Sequence, residues 1–282
     1  MTIEDHFPEI YRRSNQHSID WQSRYLWSER IQLASLLFAA LFANLDDGGP
    51  ALAALSFSIA IAAHLFRLIT KADQKWWNGR AGAESTKTAC WRYVVGGAPF
   101  PIGAAAADTE LAARLTELAS KVAEIVPVPV SEGHLTDEMR AARAQTLDDR
   151  IELYQRDRIR NQMRWYADHS TLNAERGRMW SWAAIASQAA GLIVGLGAAV
   201  NDWHFDYVGL LSAGAASAVA WVAVKQFEVL ARSYAVASNE LSSIDVSITA
   251  TTRDEDDWSA FVNEAEEAIS REHTSWRASR AV

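Results

Sequence analysis

Two long runs almost free of charge, each folded back at an acidic turn and flanked by arginine and lysine, constrain this chain more than any other feature. The first runs from Ile31 to Leu45, turns through Asp46, Asp47, Gly48, Gly49 and Pro50, and continues from Ala51 to Phe66 with only His64 titratable. The second repeats the plan: Met179 to Asn201 carries no charge, Asp202 to Asp206 forms the turn, and Tyr207 to Val224 is uncharged up to Lys225. A helix rises about 1.5 Å per residue and must cross roughly 30 Å of hydrocarbon. The second hairpin has that length. The uncharged parts of the first give only about 22 to 24 Å, so snorkelling by Arg30 and Arg67 or local thinning of the bilayer is needed there. The competing reading, a soluble bundle that buries both hairpins, predicts extraction by alkaline carbonate.

The placement of cations orients the hairpins. No Lys or Arg occurs between Leu45 and Phe66 or between Met179 and Val224, whereas Arg24, Arg30, Arg67, Lys71, Arg176, Arg178, Lys225 and Arg232 crowd the opposite ends. The positive-inside rule puts both turns outside and both termini in the cytoplasm. Trp27, Trp180, Trp182 and Trp221 fall near the inner boundary and Trp203 and Tyr207 near the outer one. That is where amphipathic rings gather at headgroup level, although ordinary core packing would also account for them. A net charge of −8 argues against nucleic-acid binding, because the only basic clusters are those beside the membrane segments. Ahead of the first hairpin lie Glu4, Asp5, Glu9, Arg12 and Arg13 and no separate apolar core with a small-residue cleavage site. The first hairpin is therefore expected to direct insertion itself. The single cysteine, Cys90, cannot make an internal disulfide and reads as a small buried or half-buried side chain.

Along the chain the order charged helix, span, acidic turn, span, charged helix occurs twice. The expected organisation is a first unit over 1–135, with spans at about 31–45 and 51–66 and a glycine- and proline-broken segment at 94–135. A second unit covers 136–282, with spans at about 179–201 and 207–224 and a C-terminal helix at 256–279. Gly96, Gly97, Pro99, Pro101 and Gly103 break the first exit helix, Pro127 and Pro129 mark another break, and Asp108 to Ile125 reads as a short helix between them. Both exit segments lack clustered proline and glycine, so the spans are expected to continue as long cytoplasmic helices. The fold class is all-α: a four-span helical membrane protein of two tandem helix–hairpin–helix units with long cytoplasmic extensions.

The segment Trp77-Asn-Gly-Arg80-Ala-Gly-Ala-Glu84-Ser85-Thr-Lys87-Thr88-Ala-Cys-Trp91-Arg92-Tyr93, followed by Gly96-Gly97-Ala-Pro99-Phe100, resembles a motif of the SMODS- and SLOG-associating two-transmembrane effectors, the SLATT family. Glu266-Glu267-Ala-Ile269-Ser270-Arg271-Glu272-His273-Thr274-Ser-Trp276 resembles its other signature, and Tyr234-Ala235 with Glu240-Leu241 also fits. The resemblance covers nearly the whole chain as two tandem units. It implies a pore-forming membrane effector of a bacterial conflict system, residing in the inner membrane and switched by a nucleotide-synthesising or nucleotide-sensing partner; because one protomer has too few spans to enclose a wide pore, a conducting form is expected to be a homo-oligomer.

The residues themselves give a physical reading of those segments. On a helix, Arg80, Glu84, Lys87, Thr88 and Trp91 share one face, and Trp77, Glu84 and Trp91 repeat every seven, giving a polar stripe bordered by tryptophan. In the C-terminal helix Trp258, Phe261, Val262, Ala265, Ala268, Ile269, Glu272 and Trp276 share the apolar face, which Glu272 alone interrupts. A buried carboxylate needs a cation or donors, so Glu272 is expected to pair with Arg80 or Arg92, either as a structural ion pair or as a ligand or partner contact. The acidic run Asp254 to Asp257 reads as a helix start capped by Asp256 or Asp257.

Within the spans, Ser181, Gln188, Gly191 and Gly195 fall on one side of the third, and Gly209, Ser212, Ala213, Ala216 and Ala220 on one side of the fourth. Small residues favour close helix approach, whereas Gln188, polar and near mid-span, either lines a weakly selective path in an oligomer or hydrogen-bonds across helices. Spans without Asp, Glu, Lys or Arg argue against a proton pump or ion-coupled carrier. Reaction chemistry finds no foothold: the seven histidines are scattered. Glu272-His273 lacks the second histidine of a zinc motif, and neither a phosphate-cradling loop nor a Gly-x-Ser-x-Gly turn occurs. No enzyme, cofactor or metal is expected. Two functional classes stay open: a membrane-perturbing effector gated through its cytoplasmic helices, and a non-conducting anchor or receptor that recruits partners.

Overall fold

Among the described residues, every regular element of the computed structural model is helical. It describes residues 2–123, 135–200, 206–251 and 254–278, without the side chains of 249–251 and 271–278. After a short 3₁₀ turn, Ile3–His6, ten α-helices follow among the described residues: α1 (Glu9–Phe42), α2 (Gly49–Thr70), α3 (Ala72–Val95), α4 (Ala107–Val122), α5 (Asp137–Arg143), α6 (Leu147–Leu153), α7 (Asn161–Ala198), α8 (Tyr207–Lys225), α9 (Phe227–Thr251) and α10 (Glu255–Ala278). A π-helical segment, Tyr154–Arg160, joins α6 to α7. The expected breaks at Pro127 and Pro129, and most of the second turn with Trp203, lie outside the described residues. The helix expected over Asp108 to Ile125 is α4, whose Leu111, Leu115, Leu118 and Val122 form its buried stripe.

The chain divides into two units. Unit 2 comprises residues 22–73 and 169–232 and holds both hairpins; unit 1 comprises residues 1–21, 74–168 and 233–282. In unit 2, α2 starts where Gly48 takes a left-handed conformation (φ 77°) and Pro50 fixes the first helical turn. Its buried residues are Gly49, Ala53, Ser56, Ala60 and Ala63, all small, so a neighbouring helix can approach closely. Its large residues point outward: Ile61 is 59% exposed and Ile69 76%. On α7 the pattern recurs, with Leu192 65% and Ile193 70% exposed. A band of this kind on a soluble surface would aggregate, whereas lipid tails solvate it.

Three helical runs are long and apolar enough to cross a membrane: Gly49–Thr70, Leu147–Ala198 and Tyr207–Ile248, with 6 to 22% of their most apolar stretches buried. The incoming half of the first hairpin is not among them. Helix α1 ends at Phe42, not Leu45, and Leu45 lies in the turn, so the uncharged stretch beginning at Ile31 reaches only about 18 Å.

The expectation that both outgoing spans continue as unbroken helices is corrected. Helix α2 stops at Lys71 (φ 49°) and α8 at Gln226 (φ 49°), each a non-glycine residue in the left-handed region, and α3 and α9 begin directly after them. Neither break has a glycine or proline to announce it. The incoming helices do run on, α1 for 34 residues and α7 for 38.

The small-residue face expected on α8 is also re-aimed. Ala215, Ala218 and Trp221 are its buried residues, while Ser212 and Ala216 are exposed. The Oγ of Ser187 donates to the carbonyl of Leu211 at 2.8 Å, and a Cβ built on Gly191 or Gly195 would lie 3.7 Å from Leu211 or Val208. These contacts join α7 to α8. Trp221 is thus a packed residue, whereas Trp27 (57% exposed) and Trp182 (64%) face outward as interfacial tryptophans do.

Unit 1 is built around Phe7, Ile10, Trp91, Val94, Leu111, Leu115, Tyr154, Trp258 and Val262, all fully or nearly fully buried. A chain of edge-to-face rings runs through it: Phe7 to Trp91 at 5.8 Å, Trp91 to Tyr154 at 5.8 Å and Tyr154 to Trp258 at 5.6 Å. Cys90 is fully buried there, and burial pushes its thiol pKa up.

Candidate functional site: a buried charge network in unit 1

Three of the four glycines in the long motif at α3 and its C-terminal end have distinct jobs. A Cβ on Gly79 would lie 3.1 Å from the backbone N of Ser18 and 3.2 Å from the Ser14 carbonyl, so its absence lets α3 approach α1 backbone to backbone. At the other end, Gly96 (φ 81°) and Gly97 terminate the helix. The N–H of Gly97 bonds to the Arg92 carbonyl at 2.7 Å and that of Gly96 to the Tyr93 carbonyl at 3.3 Å, the Schellman pattern. Three more donors cover the last carbonyls. Arg143 Nη1 bonds to Tyr93 O at 2.5 Å, and Arg150 Nη1 and Trp258 Nε1 both bond to Val95 O at 2.7 Å. Arginines at a helix C-terminus also meet the negative end of its dipole. Arg150, 2% exposed in its side chain, reaches on to Glu255 at the start of α10.

Near the middle of unit 1 lies a fully buried ion pair, Arg158 with Glu266, both side chains 0% exposed. Arg158 Nε donates to Oε1 at 2.8 Å and Nη2 to Oε2 at 2.7 Å. Tyr154 Oη adds a donor to Oε1 at 2.9 Å and Thr88 Oγ1 one to Oε2 at 3.0 Å. Arg158 Nη1 donates to Gln162 Oε1 at 2.9 Å. Tyr154 and Arg158 stand four residues apart in the π-helical segment, on one face, and both reach Glu266. Burial draws the Arg158 pKa down, but the charge and hydrogen bonds of Glu266 more than offset it and the net shift is upward. Burial, followed by the same carboxylate, raises Tyr154 well above the usual phenol range. The carboxylate's donors are all in place, and the cluster ties α3, the π-segment and α10 together as a lock.

Beside it, Glu4 accepts from Trp91 Nε1 at 2.8 Å and pairs with Lys87 at 2.7 Å. The expected polar stripe of α3 therefore serves several partners. Arg80 pairs with Glu84 on its own helix at 2.9 Å, Lys87 and Trp91 hold the N-terminal turn, and Thr88 joins the ion pair. Arg92 Nη2 donates to the Asn263 carbonyl at 3.3 Å. Glu240 is exposed on α9 and lines a small groove with Tyr166, Leu241, Ile244 and Ile269.

The side chains of Glu272 and Trp276 lie outside the described residues. Within the described part of α10 the carboxylate that interrupts the apolar face is Glu266, and its cation is Arg158, neither of the two arginines expected to pair with an acid of this helix. Glu266 is findable in the sequence, since it stands four residues after Val262 and three before Ile269. Arg158 is not, being one of three arginines between Arg156 and Arg160 whose facing is set by the π-turn. The α10 cap is likewise Asp254, whose Oδ1 accepts from the N–H groups of Asp256 (3.0 Å) and Asp257 (2.9 Å), not Asp256 or Asp257 itself.

In unit 2 the four residues expected on one side of the third span are separated. Gly191 and Gly195 contact α8, whereas Ser181 and Gln188 are exposed. At the other end of the first hairpin, Arg67 pairs with Glu29 at 3.2 Å, meets Gln32, and lies 3.2 Å from His64 Nδ1.

Residues 8–151 match the family described as SMODS and SLOG-associating 2TM effector domain 3, and residues 154–276 match SMODS and SLOG-associating 2TM effector domain 1. No curated protein and no solved structure matches the chain. The two matches meet where α6 gives way to the π-segment.

Proposed function

Because this chain belongs to the SMODS and SLOG-associating two-transmembrane effector (SLATT) family, as two such domains in tandem, we propose that it is an oligomeric, pore-forming membrane effector of a bacterial conflict system. Its four spans are α2, α7, α8 and the shorter second half of α1. Its turns face outward, its termini lie in the cytoplasm, and unit 1 is the cytoplasmic body that receives the signal of a nucleotide-signalling or sensor partner.

The observation that carries the pore reading is the exposure of Gln188. A polar side chain near mid-span on the outward face of α7, among exposed Ile185, Leu192 and Ile193, is unfavourable against lipid and becomes favourable against water or another polar group. Ser181, two turns earlier, is exposed with it. Assembly of several copies around that stripe would cover it and line a narrow, weakly selective path. Signal transfer has a route in the secondary structure, since α1, α7 and α9 each contribute residues to both units. A partner that shifts the Arg158–Glu266 lock biases those helices, and with them the hairpins.

The test is ion and dye flux through liposomes carrying purified protein, with flotation of the same sample to establish insertion. Wild-type protein with its activating partner conducts, and Gln188→Leu floats equally but conducts at least tenfold less. Undiminished flux through Gln188→Leu removes α7 from the path and ends this reading.

A further inference from the structure

The cations of unit 2 all lie at one end of its hairpins, with Asp46, Asp47 and Asp206 at the other. Two of these cations are matched by carboxylates: Arg67 with Glu29 at 3.2 Å and Arg232 with Glu228 at 3.1 Å. Arg30 is different. It is exposed, it forms no ion pair among the described residues, and its guanidinium stands 5.3 Å from the centroid of Trp27 and 5.2 Å from that of Trp221. Trp27 is on its own helix, whereas Trp221 belongs to α8 of the other hairpin. Lys225, one turn after Trp221, brings a second cation 6.0 Å from the same ring.

A guanidinium held over aromatic faces keeps its N–H edge for an acceptor, and a planar fork of donors matches a phosphate. The position specifies which phosphate. Trp27 and Arg30 directly precede the uncharged stretch of α1, and Trp221 and Lys225 close α8, so the pair of cations stands at the polar rim of the exposed apolar band. Ile31, 43% exposed, continues the surface toward that band and gives an acyl chain somewhere to lie.

We propose that Arg30 and Lys225, on the platform of Trp27 and Trp221, bind the headgroup phosphate of an anionic phospholipid and so tie α1 of the first hairpin to α8 of the second. This rests on the membrane reading of unit 2. The lipid acts as a clamp: it is shared by α1 and α8, and its removal loosens the end of the hairpins nearest the charged helices.

Native mass spectrometry of the full chain in detergent, offered equal amounts of phosphatidylglycerol and phosphatidylcholine, tests it. Wild-type protein retains phosphatidylglycerol preferentially, and Arg30→Gln weakens that retention about fivefold, the effect of one cation near an anionic headgroup. Lys225→Gln acts in the same direction. Arg232→Gln, which removes a neighbouring cation already paired with Glu228, leaves retention unchanged. Equal loss in Arg232→Gln overturns the proposal in favour of diffuse attraction, and no preference in the wild type overturns it outright. Displacement of the bound lipid by millimolar inorganic phosphate also overturns it, by assigning the site to a free anion. Flotation with pure phosphatidylcholine vesicles is scored separately: protein that fails to float refutes the membrane reading, whereas protein that floats without lipid preference refutes the clamp alone.

Discussion

Replacing Glu266 by Gln changes almost no volume and removes one charge, and the geometry specifies why unit 1 should tolerate it poorly. Four groups aim at the carboxylate, and all four donate: Arg158 Nε and Nη2, Tyr154 Oη and Thr88 Oγ1. The two hydroxyls can turn and accept instead. The arginine cannot, and because it addresses both carboxylate oxygens, the NH₂ of the substituting amide meets an arginine N–H whichever way it is turned. Arg158 is left fully buried without a counter-charge, a change that costs about 3–5 kcal/mol. For a body of this size each kcal/mol lowers Tm by about 2–4 °C, so Glu266→Gln is expected to unfold roughly 6–20 °C earlier than wild type. Far-UV circular dichroism of detergent-purified protein follows the transition. The double replacement Arg158→Met with Glu266→Leu removes charge and counter-charge together, and is expected to be more stable than either single variant. A Tm for Glu266→Gln within about 2 °C of wild type, or a double variant whose losses simply add, would refute the account of the network as a charge-matched lock.

Three further outcomes follow from the same structure. Burial, then the hydrogen bond to Asp108 at 2.6 Å, pushes the Tyr93 pKa up to about 12. The unfolded phenol releases its proton near 10, so between these values the folded state binds more protons and stability falls as pH rises. Tyr93→Phe should flatten that decline in urea titrations at about pH 10 to 12, with Tyr11 and Tyr154, also raised, leaving a remainder. Gly97→Ala drives a Cβ into the side chain of Val262 and is expected to lose about 1–3 kcal/mol, recovered in part by Val262→Ala; unchanged stability would show that α10 moves aside freely. Lys71→Gly and Gln226→Gly should each gain up to about 1 kcal/mol, because left-handed backbone strains L-residues and not glycine, whereas a loss typical of mid-helix glycine would contradict the two breaks.

The hairpins are legible because membrane solvation leaves its mark on every residue of a span, so the absence of charge between Met179 and Asn201 is readable without knowing any contact. Amphipathic α4 and α10 are legible for the same kind of reason, a periodic stripe. What escapes are features decided by a single contact or a single dihedral. Nothing in Ile69-Thr70-Lys71-Ala72 or Lys225-Gln226-Phe227 marks a left-handed residue, since neither stretch holds a glycine, asparagine or proline. Helical spacing puts Gly191, Gly195, Ser181 and Gln188 on one side of the third span, yet the α8 contacts select the two glycines and leave the polar pair outside. For the ion pair the sequence points to the right chemistry on the right helix, a carboxylate interrupting its apolar face, but not to Arg158 as the cation that meets Glu266. A stripe identifies a face, but which acid on that face finds a cation depends on an element 108 residues away whose turn is π and not α.

That separation has a consequence for how the protein is made. Arg158 leaves the ribosome 108 residues before Glu266, and at typical elongation rates of about 5–20 residues per second the wait is roughly 5–20 s. Glu4 and Trp91 can meet within the first third of synthesis, but Tyr154 and Arg158 emerge with neither carboxylate nor the ring of Trp258 to receive them. By the time those arrive, both hairpins have already been translated, α8 having ended at Lys225. The order of events is therefore written into the chain: the apolar hairpins are committed first, the nascent body of unit 1 stays open with a charged arginine in its unfinished interior, and α10 closes it last. A nascent chain halted anywhere between residues 226 and 265 would carry complete hairpins and no lock.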